Sequence, residues 1–355
     1  MLRLLCLGWA VLSLACCAPA QENPFLGRWA LTSEGGGPGW LEVVQKEGVF
    51  SGALLWIGGS PEPQSRIYFD GNTLYALRIR EDEIRDASGK VLRTQIHPIT
   101  LSATITGEEL RGTLTEPGSD SLSVIRQAFT GRRIPPIPPA PDLEKLRFGD
   151  PIVLFNGRDL DGWNPKGGAY WGAIARGADR EDTQGWIALD PTAVNGWFVR
   201  DGVLVNDPVQ HADQPFIRYA NLHTVQAFRD FNLTLDVKVP ADGNSGIYLR
   251  GLYEVQLRDS FGQPLDCHNM GAIYGRITPA APAETPAGAW QTLDITLVQR
   301  HATIKLNGKT IIDNQPIAGC TGGALTSDES LPGPIYIQGD HTGVELLNIV
   351  LRPVL

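Results

Sequence analysis

The stretch from Gly243 to Ser260, "GNSGIYLRGLYEVQLRDS", decides the reading of the second half of the chain. Aromatic and β-branched residues alternate with polar ones on either side of "RG", the pattern of two short strands about a tight bend. Side chains two positions apart on a strand share a face. Tyr248 and Arg250 therefore fall on one face of the first strand, and Glu254 and Gln256 on one face of the second. Such a face is either a solvated surface with cross-strand pairs or a site for something polar.

Working outward, the same strand signal continues. "FNLTLDVKV" precedes the stretch, and "WQTLDITLVQRHATIKLNGKTIID" follows it as a pair of hairpins, with Asn307-Gly308 as a primed-turn dipeptide. "GPIYIQG" and "VELLNIVLRPV" close the chain. Two packed antiparallel sheets in a jelly-roll sandwich are expected over residues 151–355. The Gly-, Ala- and Asp-rich run from Asn164 to Asn195 reads as a long surface insertion.

Upstream, segments such as "WLEVVQ", "FSGALLWIG", "TLYALRI", "ITLSATIT" and "LRGTLTE" are separated by turn residues, which predicts a smaller all-β barrel or sandwich over residues 21–131. It offers no nucleophile, metal cluster or phosphate loop, so binding or structural support is its expected role. Between the two regions, "RRIPPIPPAPDL" holds five prolines in twelve residues and marks a stiff linker over residues 132–150.

The chain has 355 residues with 40 Gly, 26 Pro and a net charge of −9, and its longest basic run is Arg132-Arg133. Nucleic acid is thereby disfavoured as a partner, because phosphate binding needs clustered positive charge. Residues 1–20 combine Arg3, an apolar run and Ala18-Pro19-Ala20, which reads as an export signal. The protein is expected in the periplasm or outside the cell, with a lipid anchor on Cys16 or Cys17 as the alternative and no transmembrane segment. Cleavage after Ala20 leaves Cys267 and Cys320, an even pair in an oxidising compartment, and a disulfide between them is expected.

"VLFNGRDLDGW", "GWFVRDGVLVND", "NLHTVQAFRDFNLTLDVKVPADGNSGIYLRG", "GAIYGRITP", "WQTLDITLVQRHATIKLNGKTIIDN" and "GPIYIQGDHTGVELLNIVLRP" together resemble the 3-keto-disaccharide hydrolase family. The resemblance covers nearly all of the second region and implies a concanavalin-like sandwich acting on glycosides already oxidised at sugar carbon three. A 3-ketone acidifies the hydrogen on carbon two. A base can then remove it, the carbon-one substituent leaves by elimination, and water adds back for net hydrolysis. One departure stands out: where relatives carry Arg-Asn-Ile, this chain reads Leu347-Asn348-Ile349.

That chemistry assigns candidate roles. Arg250 would hold a developing enolate, Glu254 or His341 would move the proton, and Tyr274 would donate to the leaving oxygen. Tyr248, Gln256, Asp259, Gln338 and Asp340 would bind the sugar, while Trp163, Trp186 and Trp197 are either stacking or core residues. No G-x-S-x-G elbow is present, which disfavours serine hydrolysis. No cofactor is evident, and spacing leaves a divalent metal open. The alternative function is an exported carbohydrate-binding module on the same fold.

Overall fold

The computed structural model describes residues 23–118, 122–165 and 193–355. The surface insertion, Trp186 and the export signal therefore lie mainly or wholly outside the described residues. Among those described, no helix is long and apolar enough to cross a membrane.

The first region contains β1 (Gly27–Ser33), β2 (Pro38–Lys46), β3 (Val49–Trp56), β4 (Gly58–Pro63), β5 (Arg66–Asp70), β6 (Thr73–Arg85), β7 (Val91–Thr106), β8 (Glu109–Pro117) and β9 (Val124–Arg133). They form one antiparallel sheet in the order β4-β3-β2-β1-β9-β8-β7-β6-β5. The sheet curls until β5 lies against β3, with Ile67 packed over Gly52, so the region is a barrel rather than a sandwich. Trp29, Leu31, Leu41, Leu74 and Leu101 fill its interior at alternate strand positions, as period two requires.

Arg132 and Arg133 pair with Ala30 and Trp29 inside β9, so the connector begins at Ile134 and not at Arg132. It is not a free hinge either. Ile134 is buried in the second region's core, and Arg300 and Asn314 donate to the carbonyls of Pro135 and Pro141 at 2.9 Å each.

The second region is a two-sheet sandwich. Its strands are β10 (Ile152–Val153), β11 (Trp163–Asn164), β12 (Trp197–Arg200), β13 (Val203–Asn206), β14 (Leu222–Phe228), β15 (Phe231–Lys238), β16 (Asn244–Leu249), β17 (Tyr253–Arg258), β18 (Trp290–Val298), β19 (His301–Leu306), β20 (Lys309–Pro316), β21 (Gly333–Ile337) and β22 (Val344–Pro353). One sheet runs β12-β13-β22-β15-β18-β19-β20, with β10 beside β22; the other runs β11-β14-β21-β16-β17. Their facing sides close one core that includes Leu235, Ile247, Leu249, Val255, Leu257, Ile295 and Leu351. Asn307 and Gly308 adopt φ values of 52° and 79°, the primed turn that the dipeptide predicts. Trp163 and Trp197 are core residues, each donating its indole N–H to a backbone carbonyl, so neither is free to stack on a sugar.

One expectation is corrected here. Cys267 and Cys320 are free thiols. Cys320 is locked in the sandwich core, where burial pushes its thiol up to about 12, while Cys267 lies in a turn with its sulfur 3.6 Å from Nδ1 of its neighbour His268. Iodoacetamide at neutral pH is expected to label Cys267 and to spare Cys320 until the protein is unfolded; a non-reduced peptide joining 267 to 320 would overturn this. Leu347 sits on β22 and pairs with Asp236 of β15 in the larger sheet, whereas β16 and β17 belong to the smaller one. Its neighbour Asn348 only donates to Asp236.

Candidate active site

The pairing of β16 with β17 puts Gly246 opposite Gln256 and Tyr248 opposite Glu254, and β21 adds Tyr336 beside Tyr248. The intervening residues Ile247, Leu249 and Val255 point into the sandwich core, so the even-numbered set is turned onto the outer face of the five-stranded sheet. This polar face is not solvated. Glu254 and Gln256 are buried at 3% and 2% exposure, under loops that close a cavity of about 190 Å³. The floor of the cavity is Tyr248, Glu254, Gln256 and Asn244. Its sides are Tyr274, Gln338, His341 and two Gly-Gly pairs, 322–323 in a turn of the sandwich and 58–59 at the start of β4 in the barrel.

Glu254 is the buried carboxyl of the cavity floor. Its carboxyl occupies the space above Gly246, where an added Cβ would overlap it, and Tyr248 Oη lies 2.9 Å from Glu254 Oε2 and 2.9 Å from the Gly322 carbonyl. Burial disfavours the carboxylate and raises Glu254 to about 8; the Tyr248 hydrogen bond pulls the other way, and nearby Asp340 adds to the rise. Below that pH the carboxyl can pass its proton's hydrogen bond to Tyr248, which in turn donates to Gly322. Above it, a strongly basic carboxylate faces the cavity.

The remaining polar groups are positioned by neighbours. Gln256 donates Nε2 to Asn244 at 2.8 Å, and its Oε1 has no partner among the described residues. His341 keeps Nδ1 2.8 Å from Asp340 Oδ1, an interaction that raises the imidazole above its ordinary value despite partial burial. Tyr336, packed 4.8 Å from Tyr248 between ring centres, receives the amide hydrogen of Asn221 at 2.6 Å. Tyr274 is half-buried, and burial raises its phenol.

The cavity thus gathers Tyr248, Glu254, Gln256, Tyr274, Gln338 and His341, with Asp340 behind His341. Asp259 is elsewhere: it accepts from the Asp242 amide and caps the turn before β16. Arg250 is also elsewhere. The Leu249–Leu252 turn puts Arg250 and Gly251 at φ 59° and 64°, and this primed geometry ends the strand alternation one residue before Arg250. Its guanidinium is buried and donates to the carbonyls of Glu329 and Leu331, fastening the loop whose Ser327 hydroxyl bonds the barrel at Leu31. Arg250→Met is expected to destabilise the fold by about 2–4 kcal/mol, as a charged donor to two buried carbonyls is lost. Turnover per folded molecule should stay within about threefold; a much larger fall in kcat with an unchanged melting temperature would return Arg250 to the site.

Sequence reading missed Asn244 and both Gly-Gly turns. The only signal for the turns is the pairs themselves, "GGS" at 58–60 and "TGG" at 321–323. As for a metal, Asp266, Cys267 and His268 bring ligand atoms within 4.8 Å of one another at the domain boundary. Both imidazole nitrogens of His268 are already engaged, Nδ1 by Asp266 and Nε2 by Ser60.

Comparison with known proteins places this geometry in a family. The family described as the 3-keto-alpha-glucoside-1,2-lyase-like domain matches residues 150–352, more than half of the chain. The chain belongs to that family. The match covers the sandwich and leaves the barrel outside it. Among solved structures, a candidate glycosyl hydrolase from Parabacteroides distasonis is 25% identical, with 62% of this chain and 93% of that chain covered and a TM-score of 0.41. A second from the same organism is 20% identical, covering 57% of this chain and 93% of its own at a TM-score of 0.38. No curated protein matches the chain. In this lyase-like domain every cavity side chain comes from the matched region, and only the Gly58-Gly59 turn comes from outside it.

Proposed function

We propose that the protein cleaves 3-keto-glycosides or 3-keto-disaccharides by base-promoted elimination, with net hydrolysis when water adds back. The observation that carries this reading is a buried, family-region carboxyl at the bottom of a sugar-sized cavity, with its proton affinity lifted to about 8. A general base is most effective when its pKa lies near the working pH. Burial brings Glu254 into that range.

In the reaction, the Glu254 carboxylate takes the hydrogen from sugar carbon two. The electron pair moves onto the carbon-three oxygen as an enolate, which the protonated His341, held by Asp340, stabilises by charge and hydrogen bonding. The enolate then re-forms the ketone as the carbon-one–oxygen bond breaks, and Tyr274 gives its proton to the departing oxygen. Gln256, Gln338 and Asn244 bind ring hydroxyls, and the unpartnered Oε1 of Gln256 is a ready acceptor for one of them. We place the protein outside the cytoplasm, on the export signal that residues 1–20 resemble.

The test is release of glucose or aglycone from 3-keto-trehalose or a 3-keto-glucoside. The kcat/KM profile is expected to be bell-shaped. Raising the pH ionises Glu254 and produces the acid limb, whereas loss of the His341 proton produces the alkaline limb. His341→Gln should leave a slower enzyme with a single rise whose midpoint is near 8. Glycan binding with no turnover of any keto-sugar would overturn the proposal in favour of a binding module.

A further inference from the structure

The barrel lies outside the matched family region, yet the tight turn at its β3–β4 corner, Ile57 with the first residues of β4, forms one side of the cavity. We infer that this turn, Ile57 to Ser60, is a specificity wall, fitted so that the site admits a single terminal keto-sugar ring and rejects longer glycans on the side it closes. The inference deepens the proposed function and rests on it for the nature of the ligand.

Four features make the turn a fixed wall rather than a surface that happens to be near. Gly323 donates its N–H to the Ile57 carbonyl at 3.2 Å, joining the two Gly-Gly turns on one side of the cavity. A Cβ on Gly322 would overlap the Gly59 backbone, so the two chains pack main chain to main chain with no space for a side chain between them. Ser60 Oγ lies 2.7 Å from His268 Nε2, and the His268 ring meets Tyr274 edge-on at 4.9 Å, so the barrel also braces a residue that lines the cavity. Gly275 is closed in by the same serine, whose Oγ would lie 2.6 Å from an added Cβ.

The base of the turn is held as firmly. Trp40 on β2 lies under the Arg276 guanidinium at 4.1 Å and against Gly319, and Trp56 at the end of β3 donates to Gln127 at 2.6 Å. A wall of glycine backbone presents peptide groups and shape but no charge. It therefore discriminates by length and fit, while the sandwich supplies the reacting groups. It also keeps water from the floor, which is consistent with the raised proton affinity of Glu254.

The experiment uses the full chain with Ser60→Ala, which removes the tether to His268, and Gly322→Ala, which wedges the two turns apart. Each is assayed on a 3-keto-disaccharide and on a 3-keto-trisaccharide. The wild-type protein is expected to favour the disaccharide by at least tenfold in kcat/KM. Both variants, folded by circular dichroism, are expected to bring that ratio within about threefold, mainly through KM. No length preference in the wild type, or an unchanged ratio in both folded variants, would overturn the wall. A wild-type protein that turns over neither substrate refutes the proposed activity instead. The wall is then decided by the carbon-13 titration of the Glu254 carboxyl, whose midpoint should drop from about 8 in Gly322→Ala if the turn shields the floor, and stay put if it does not.

Discussion

Glu254→Gln is expected to abolish turnover while making the protein harder to unfold at alkaline pH. The activity falls because the amide cannot accept the carbon-two proton, and loss of a positioned base typically costs about 100- to 10,000-fold. The stability gain follows from proton linkage. Glu254 holds its proton to about pH 8 in the folded protein, whereas in the unfolded chain it releases it near 4.5, as an ordinary glutamate does. Between those values the folded state binds the extra proton, so this group's contribution to stability declines as pH rises through the window. Removing the carboxyl removes that penalty, worth on the order of 4 kcal/mol at pH 8, and Gln can still donate to Tyr248 as the protonated acid does. Melting curves should therefore coincide at pH 4 and separate by several degrees at pH 8. Equal melting temperatures at both pH values, or activity retained within tenfold, would show that Glu254 is neither strained nor catalytic.

Gly246→Ala should damage the same carboxyl without touching it covalently. Gly246 has an ordinary strand conformation, so glycine is needed there for room and not for backbone freedom: an added Cβ would overlap the Glu254 carboxyl and come within 2.7 Å of its Cγ. Overpacking of this kind typically costs about 1–3 kcal/mol. The displaced carboxyl should lower kcat by about 100-fold, since small misplacements of a catalytic group have effects of that size. A double-mutant cycle isolates the cause. In a Glu254→Ala background the same Gly246→Ala change should cost less than about 0.5 kcal/mol, because the overlapping atoms are gone. Full cost in both backgrounds would locate the role of Gly246 elsewhere.

Much of this protein was determined by its sequence alone. Period-two alternation and turn dipeptides such as Asn307-Gly308 dictate an all-β chain, because strand faces and positive-φ turns depend on residues two to four apart. The placing of Tyr248, Glu254 and Gln256 on one face is legible for the same reason. What alternation cannot say is whether a polar face is wet or covered. Only the tertiary structure, by laying residues 322–323 and 58–59 beside that face, turns an exposed strand carboxylate into a buried carboxyl with raised proton affinity. The same limit explains the misplacements. Arg250 follows the strand pattern in sequence, but the local turn at Arg250-Gly251 breaks the alternation and sends it to Glu329 and Leu331, 79 and 81 residues away. Cys267 and Cys320 satisfy the counting rule for a disulfide, yet pairing depends on how two loops sit in space, which counting does not encode. The share of the site that the barrel supplies was least legible of all. Glycine backbone carries no chemical signature, so Gly58 and Gly59 become part of a cavity only when the fold brings them against Gly322, more than 200 residues along the chain.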